Sequence, residues 1–245
     1  MRIDLNCDLG EDYPNDAELM PLITSANIAC GYHAGDPDTM CRTVDLAVAH
    51  GVAIGAHPGF ADKANFGRLE VRLPLQGYYE LVMAQLQALD AVVRAAGTRL
   101  HHVKPHGALY NMAARDPELA HCIAHAVLDF DAELILYGLS GSASVAQARA
   151  LGLACASEVF ADRTYQSDGS LTPRSRPDAL IQDTGKCLEQ VLGMVAQGIV
   201  IATDGSRVPL RADTICLHGD GAHAVAFARE LRRFLSEKHI EVVSC

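Results

Sequence analysis

Short β-like runs alternate with longer helical stretches along the whole chain, and that rhythm leaves few folds open. The strand-like runs lie near residues 2–7, 25–30, 52–56, 100–104, 133–137, 154–158 and 213–217. Helical stretches lie near 37–50, 76–97, 117–129, 142–151, 178–197 and 221–237. Strands that alternate with helices predict a parallel sheet covered by helices. Leu81, Leu86, Leu89 and Val93 fall on one face of the second helix, and Gly51, Gly97, Gly152 and Gly198 stand where helices should stop. Two segments break the rhythm. Residues 162–179 (DRTYQSDGSLTPRSRPDA) read as a long polar loop, and long loops in compact domains tend to carry function. Residues 199–217 read as a small hairpin turning at Asp204–Gly205, followed by the last barrel strand. The tail 239–243 reads as one more short strand. With no linker and no repeat, the expectation is one domain over residues 1–245.

Such a sheet makes the first strand informative. In MRIDLNCDLGED, Ile3, Leu5 and Cys7 alternate with Asp4, Asn6 and Asp8. Successive side chains point to opposite faces, and a first strand among helix-covered neighbours has no watery face. The acids and the amide should therefore face the barrel interior, with Asp8 and Glu11 at its mouth. Asp4 should lie deepest, where it could brace the others through hydrogen bonds alone.

Four histidines recur just past apolar runs, beside Gly or Pro: His33 in ANIACGYHAGD, His57 in VAIGAHPGF, His106 in HHVKPHGALYN and His218 in TICLHGD. In a parallel α/β fold the C-terminal strand ends share one side, where active sites are built. The pattern predicts imidazoles converging on one mouth. Asn27, Asp36, Lys104, Glu158, Asp162, Arg163 and Asp220 join at equivalent points. Each also has a plain reading. Asp36 before Pro37 could be an N-cap, as could Asp220, while Glu158 with Arg163 could be a surface ion pair. Lys104, between His102 and His106, is assigned to the site.

Carboxylates and imidazoles supply acid and base groups near neutral pH, and a lysine or arginine can hold an anion. Hydrolysis is the chemistry such a mouth supports. A divalent metal could be held by the same residue types, although no H-x-x-x-H or H-E-x-x-H pair occurs and the adjacent His101 and His102 point opposite ways. Nor is there a P-loop, since TGKC (184–187) lacks both the first glycine and the hydroxyl residue. GLSGSAS (138–144) could hold an anion at a helix N-terminus, but its simpler reading is an ordinary tight βα turn.

Composition narrows the partners. A net charge of −10 argues against a nucleic-acid surface. No apolar run approaches the roughly 20 residues of a membrane span, and no signal peptide is visible, so a cytoplasmic protein is expected. The eight cysteines are scattered without a C-x-x-C pair. Cys7, Cys30, Cys155 and Cys216 sit inside apolar runs, as buried free thiols would.

Together, IDLNCDLGE, ANIACGYHAGD, GVAIGAHPGF, VKPHGALYN, EVFADRTY and TICLHGDG resemble the LamB/YcsF family, the A-subunit family of bacterial-type 5-oxoprolinases. The resemblance implies an irregular seven-stranded, TIM-like (β/α) barrel similar to the polysaccharide-deacetylase fold. It implies a part in the ATP-dependent opening of 5-oxo-L-proline to L-glutamate, with two further subunits, B and C, that are similar to allophanate hydrolase. ATP would be bound by those partners or shared with them. On that picture Asp8 with His57 or His106 are the acid/base candidates, and Lys104 or Arg163 holds the substrate carboxylate or phosphate. Asn27 and Glu158 orient groups by hydrogen bonds. Asp4, Asn6, Glu11, His33, Asp36, Asp162, His218 and Asp220 complete the expected substrate-binding set. Two other readings stay open: a stand-alone metal-dependent amidohydrolase or deacetylase, and a non-catalytic subunit that only binds the lactam.

Overall fold

The computed structural model describes residues 1–217 and 224–245. Strands β1 (Arg2–Leu9), β2 (Ser25–Ala29), β3 (Ala53–His57), β4 (His102–Val103), β5 (Ile135–Leu139) and β6 (Cys155–Phe160) pair in sequence order, all parallel. A separate antiparallel hairpin follows, β7 (Ile199–Ile201) and β8 (Arg207–Pro209). Strand β9 (Thr214–Leu217) then fits between β6 and β1, with Glu158 opposite Thr214 and Leu5 opposite Ile215. That insertion closes a seven-stranded parallel barrel. The tail strand β10 (Glu241–Val242) adds to the start of β1.

Helices α1 (Asp16–Leu19), α2 (Pro37–His50), α3 (Leu75–Ala95), α4 (Gly107–Arg115), α5 (Pro117–Phe130), α6 (Ala143–Ala150), α7 (Thr184–Leu192) and α8 (Ala224–Glu237) surround it. None of the described helices is long and apolar enough to cross a membrane. The apolar residues of β1 pack outward, leaving Ile3, Leu5, Cys7 and Leu9 buried. Val82, Leu86, Leu89 and Val93 of α3 are fully buried, while Leu81 is half-buried. Burying each such side chain contributes about 1.5–3 kcal/mol. All eight thiols are free; Cys7, Cys30 and Cys216 are buried as expected, whereas Cys155 is half-buried.

Three elements differ from the sequence expectation, the first being the single turn α1 (Asp16–Leu19), which lies outside the expected helical stretches. Helix α4 is additional, hidden because Pro105 and Gly107 read as breakers. Gly107 in fact adopts the left-handed region (φ 52°), where a Cβ would stand 2.7 Å from the Gly67 carbonyl oxygen. The helix expected over 178–197 begins only at Thr184, where Asp183 accepts the Lys186 N–H (2.8 Å). Residues before it are tied to the 162–179 loop instead: Thr164 N–H donates to Ala179 O (3.1 Å) and Ile181 N–H to Asp162 O (2.8 Å).

The barrel interior is a hydrogen-bonded polar stack. At its floor the Asp4 carboxylate accepts from the hydroxyls of Thr24 (2.6 Å), Ser25 (2.8 Å), Tyr137 (3.1 Å) and Thr214 (2.6 Å). Burial pushes this carboxyl above its usual range, and the hydroxyl donors pull it part of the way back. One layer up, Asn6 donates to Thr214 Oγ1 (2.7 Å), Asn27 donates to Asn6 Oδ1 (2.8 Å), and His102 Nε2 donates to Asn27 Oδ1 (2.8 Å). The His102 ring stacks on Tyr137 at 4.2 Å and is kept neutral by burial.

That ring fits only because residue 55 has no side chain. A Cβ on Gly55 would stand 2.1 Å from His102 Nε2. Gly55→Ala should therefore cost about 3 kcal/mol of unfolding free energy, read by chemical denaturation. A change under about 0.5 kcal/mol would refute this packing argument.

Candidate functional site

Above the polar stack the barrel opens into a cavity of about 800 Å³. Its inner end is lined by Asp8, Glu11, His57, Lys104 and His106, and its outer part by Arg68, Arg163, Arg174 and the turn Ser140–Gly141–Ser142. All the inner residues come from strand ends, the side of a parallel sheet where sites form.

Lys104 is fully enclosed. Its ammonium lies 2.9 Å from Asp8 Oδ1, 2.8 Å from Glu158 Oε1, 3.1 Å from Asn6 Oδ1 and 3.1 Å from Cys216 Sγ. Burial alone would favour the neutral amine, but Asp8, Cys216 and Glu158 outweigh it and hold the ammonium well above its ordinary range. An ammonium has three protons, and four acceptors already surround this one. Lys104 therefore sets the charge of its neighbours and has no donor to spare for a substrate carboxylate, contrary to that part of the expectation. Glu158 is likewise the fully buried partner of Lys104 rather than a surface partner of Arg163.

Beside Asp8 sits an imidazole cluster. His57 Nε2 lies 2.9 Å from His106 Nδ1, 3.4 Å from Asp8 Oδ2 and 3.6 Å from Glu11 Oε1. Glu11 Oε1 is also 3.2 Å from both His33 Nε2 and His106 Nδ1. His33 and His106 stack face to face at 3.7 Å. The outer nitrogens fix the tautomers. His57 Nδ1 must donate to the Lys104 carbonyl (2.7 Å), and His106 Nε2 must donate to the Phe66 carbonyl (2.9 Å), because a carbonyl only accepts. In neutral rings the two remaining nitrogens would then both be lone pairs, facing each other and a carboxylate. One positive charge has to lie between them.

A proton meets that need. Burial would lower the His57 pKa, yet Asp8 and Glu11 raise it. Burial lowers His106, and it takes His33 down to about 4. Against burial, the contacts from His106 and His33 hold Glu11 at about 2. A divalent cation meets the need as well. One ligand atom each from Glu11, His33, His57 and His106 falls within a span of 4.8 Å. Donors bound at about 2.0–2.2 Å to one ion stand roughly 3–3.5 Å apart, and 3.2–3.6 Å separates Glu11 Oε1 from the three imidazole nitrogens. The donor set therefore fits a metal. It was hidden from motif reading because its members follow three different strands and a fourth strand-end loop instead of sharing one helix turn.

Other expected residues fall elsewhere. Asp4, Asn6 and Asn27 lie beneath the cavity and brace it; Asn27 donates to Asp8 Oδ1 (2.8 Å). Asp36 is exposed and caps α2, accepting the Thr39 N–H (2.7 Å), so the capping reading displaces the substrate-binding one. Asp162 is half-buried, with its carbonyl accepting from Ile181. Arg163 is buried, donating from Nε to Ala179 O (3.3 Å) and from Nη2 to Thr172 O (2.6 Å), and it lines the cavity. His218 and Asp220 lie outside the described residues.

Comparison with known proteins gives the chain a family and a fold. The LamB/YcsF family model matches residues 3–245. The 5-oxoprolinase A-subunit of Brevibacillus brevis is 54% identical over 247 residues, covering 99% of this chain and 97% of that one. Among solved structures, the lactam utilization protein of Thermus thermophilus superposes with a TM-score of 0.94 at 45% identity, covering 100% of both chains. The catalytic domain of a peptidoglycan N-acetylglucosamine deacetylase from Eubacterium rectale superposes with a TM-score of 0.55 at 11% identity, covering 99% of this chain and 87% of that one. That last likeness is one of fold, and it bears out the expected deacetylase-type barrel.

Proposed function

The chain belongs to the LamB/YcsF family, and from that premise we propose that it is the ring-opening subunit of an ATP-dependent 5-oxoprolinase. It would act in the cytoplasm as one barrel domain, with two allophanate-hydrolase-like partners, the B and C subunits, and 5-oxo-L-proline as substrate. The observation that carries this reading is the Asp8 carboxyl group, clamped between Lys104 and His57 at the inner end of an open cavity.

A lactam is an unreactive amide, so its carbonyl needs activation. In this proposal the partners transfer the terminal phosphoryl group of ATP to the lactam oxygen. Asp8 then takes a proton from a water that adds to the activated carbon. The ring C–N bond breaks as the protonated His57, 3.4 Å from Asp8, returns a proton to the departing nitrogen. The resulting acyl phosphate is hydrolysed by a second water, releasing phosphate and L-glutamate. General acid–base groups in such positions contribute about 10²–10⁴-fold each.

A second reading is favoured by the facing lone pairs of His57 and His106. Glu11, His33, His57 and His106 would hold a divalent cation, which when bound lowers the pKa of a coordinated water. Asp8 and Lys104 keep their positions in either case.

Glutamate release from 5-oxoproline should require this chain, ATP and both partners together. Release by this chain alone, without ATP and abolished by a chelator, would replace the proposal with the stand-alone amidohydrolase. Unchanged turnover in complexes carrying Asp8→Ala or His57→Ala would leave only a lactam-binding role.

A further inference from the structure

The segment GLSGSAS does more than turn the chain. It joins the end of β5 to the start of α6, and Leu139, Ser140, Gly141 and Ser142 all line the cavity. Ser142 occupies the N-cap of α6 in extended conformation (φ −80°, ψ 168°). A serine there ordinarily accepts an N–H from the first turn, yet Ser142 makes no capping bond. Its hydroxyl has no hydrogen-bond partner among the described residues, although Ser142 is only 9% exposed. Native proteins rarely leave a buried hydroxyl orphaned.

The N–H groups of the first turn have no intrahelical acceptors; Ala146 N–H to Ser142 O (3.1 Å) is the bond that starts the ladder. They form a donor cluster at the positive end of the helix. Arg163 and Arg174 line the same cavity. Arg163 commits Nε and Nη2 to backbone carbonyls, which leaves guanidinium protons over. Burial and the neighbouring Arg174 bring Arg163 down to about 10, as two cations sharing one space would. An orphaned hydroxyl, a helix N-terminus and two crowded guanidiniums share one complement: an anion with several acceptor oxygens. A phosphoryl dianion offers three, together with the double charge.

We propose that Ser142, the N-terminus of α6 and the Arg163–Arg174 pair form a phosphoryl-binding subsite, which holds the phosphate of the activated lactam while the ring opens at the Asp8–His57 end. The assignment to the lactam rests on the functional reading above, whereas phosphate binding by the chain does not.

The test is a phosphorus NMR titration of the full chain alone with inorganic phosphate. Saturable binding is expected. Ser142→Ala should weaken it roughly tenfold, and Arg163→Lys, which keeps the charge and loses the fork, by a similar factor. Ser142→Asp should abolish it without lowering Tm, because aspartate is itself a good N-cap. No saturation near about 10 mM phosphate, or binding indifferent to all three substitutions, would overturn the subsite. In the reconstituted complex phosphate should inhibit glutamate release competitively with 5-oxoproline. Binding without inhibition would overturn the assignment to the lactam and make free phosphate the ligand. A complex that fails to release glutamate, built from a chain that binds phosphate normally, would count against the functional reading alone.

Discussion

Lys104→Met should destabilise the chain by about 3–5 kcal/mol and reduce glutamate release by the complex about 10²–10⁴-fold. Methionine fills most of the space that lysine occupies, so a cavity is not the main cost. The cost is charge. Lys104 is the ammonium within 2.9 Å of both Asp8 and Glu158, and removing it leaves two carboxylates in the barrel, one of them fully enclosed. An uncompensated buried charge is far more expensive than a missing ion pair. Turnover falls with it, because Asp8 loses the ammonium that pairs with it and aims it at the cavity.

The sign of the pH dependence separates this account from a packing defect. A buried carboxylate without its cation binds a proton more tightly than it does in the unfolded chain. Its folded pKa then lies above the unfolded one, so the penalty is full at high pH and shrinks as pH falls through that raised value. Denaturation of the variant between about pH 8 and about pH 5 should show the deficit narrowing. Adding Glu158→Gln should recover much of the stability but none of the turnover. A deficit that is constant with pH and untouched by the second substitution would rule out the electrostatic explanation.

Much of the fold could be read from the sequence because periodicity reports burial. The alternation in Arg2–Leu9 places Asp4, Asn6 and Asp8 inside, and a parallel sheet turns its histidine-bearing strand ends towards one mouth. His33, His57 and His106 do meet there. The order of depth along the strand is legible, and Asp4 lies deepest as expected. The level at which the cavity ends is not, since period two assigns a face and not a layer, so Asp4, Asn6 and Asn27 stand in the expected substrate-binding or orienting set although they form the scaffold beneath the cavity. Saturation of Lys104 depended on Glu158 and on Cys216, the latter 112 residues away in sequence. Asp36 shows the opposite case, a local signal: aspartate before proline at a helix start caps that helix.

Glu11→Gln is the second substitution with a large expected effect. Glutamine keeps the shape of the side chain and removes its negative charge from a point 3.2 Å from His33 Nε2 and His106 Nδ1 and 3.6 Å from His57 Nε2. The tautomers of His57 and His106 are held by the Lys104 and Phe66 carbonyls, so the cluster still needs a positive charge but has lost the anion that balances it. Turnover should fall about 10²–10⁴-fold. What else changes identifies the charge. With a bound divalent cation, elemental analysis of the wild type should find about one metal ion per chain, and Glu11→Gln should lose it, as a carboxylate ligand is worth far more than an amide oxygen to a hard or borderline ion. With a proton, both proteins should be metal-free, and NMR titration of the imidazoles should find the His57 pKa lower in the variant than in the wild type, because one of the two carboxylates that raise it is gone. A variant that keeps full turnover, whatever its metal content, would remove the Glu11–His33–His57–His106 cluster from the chemistry.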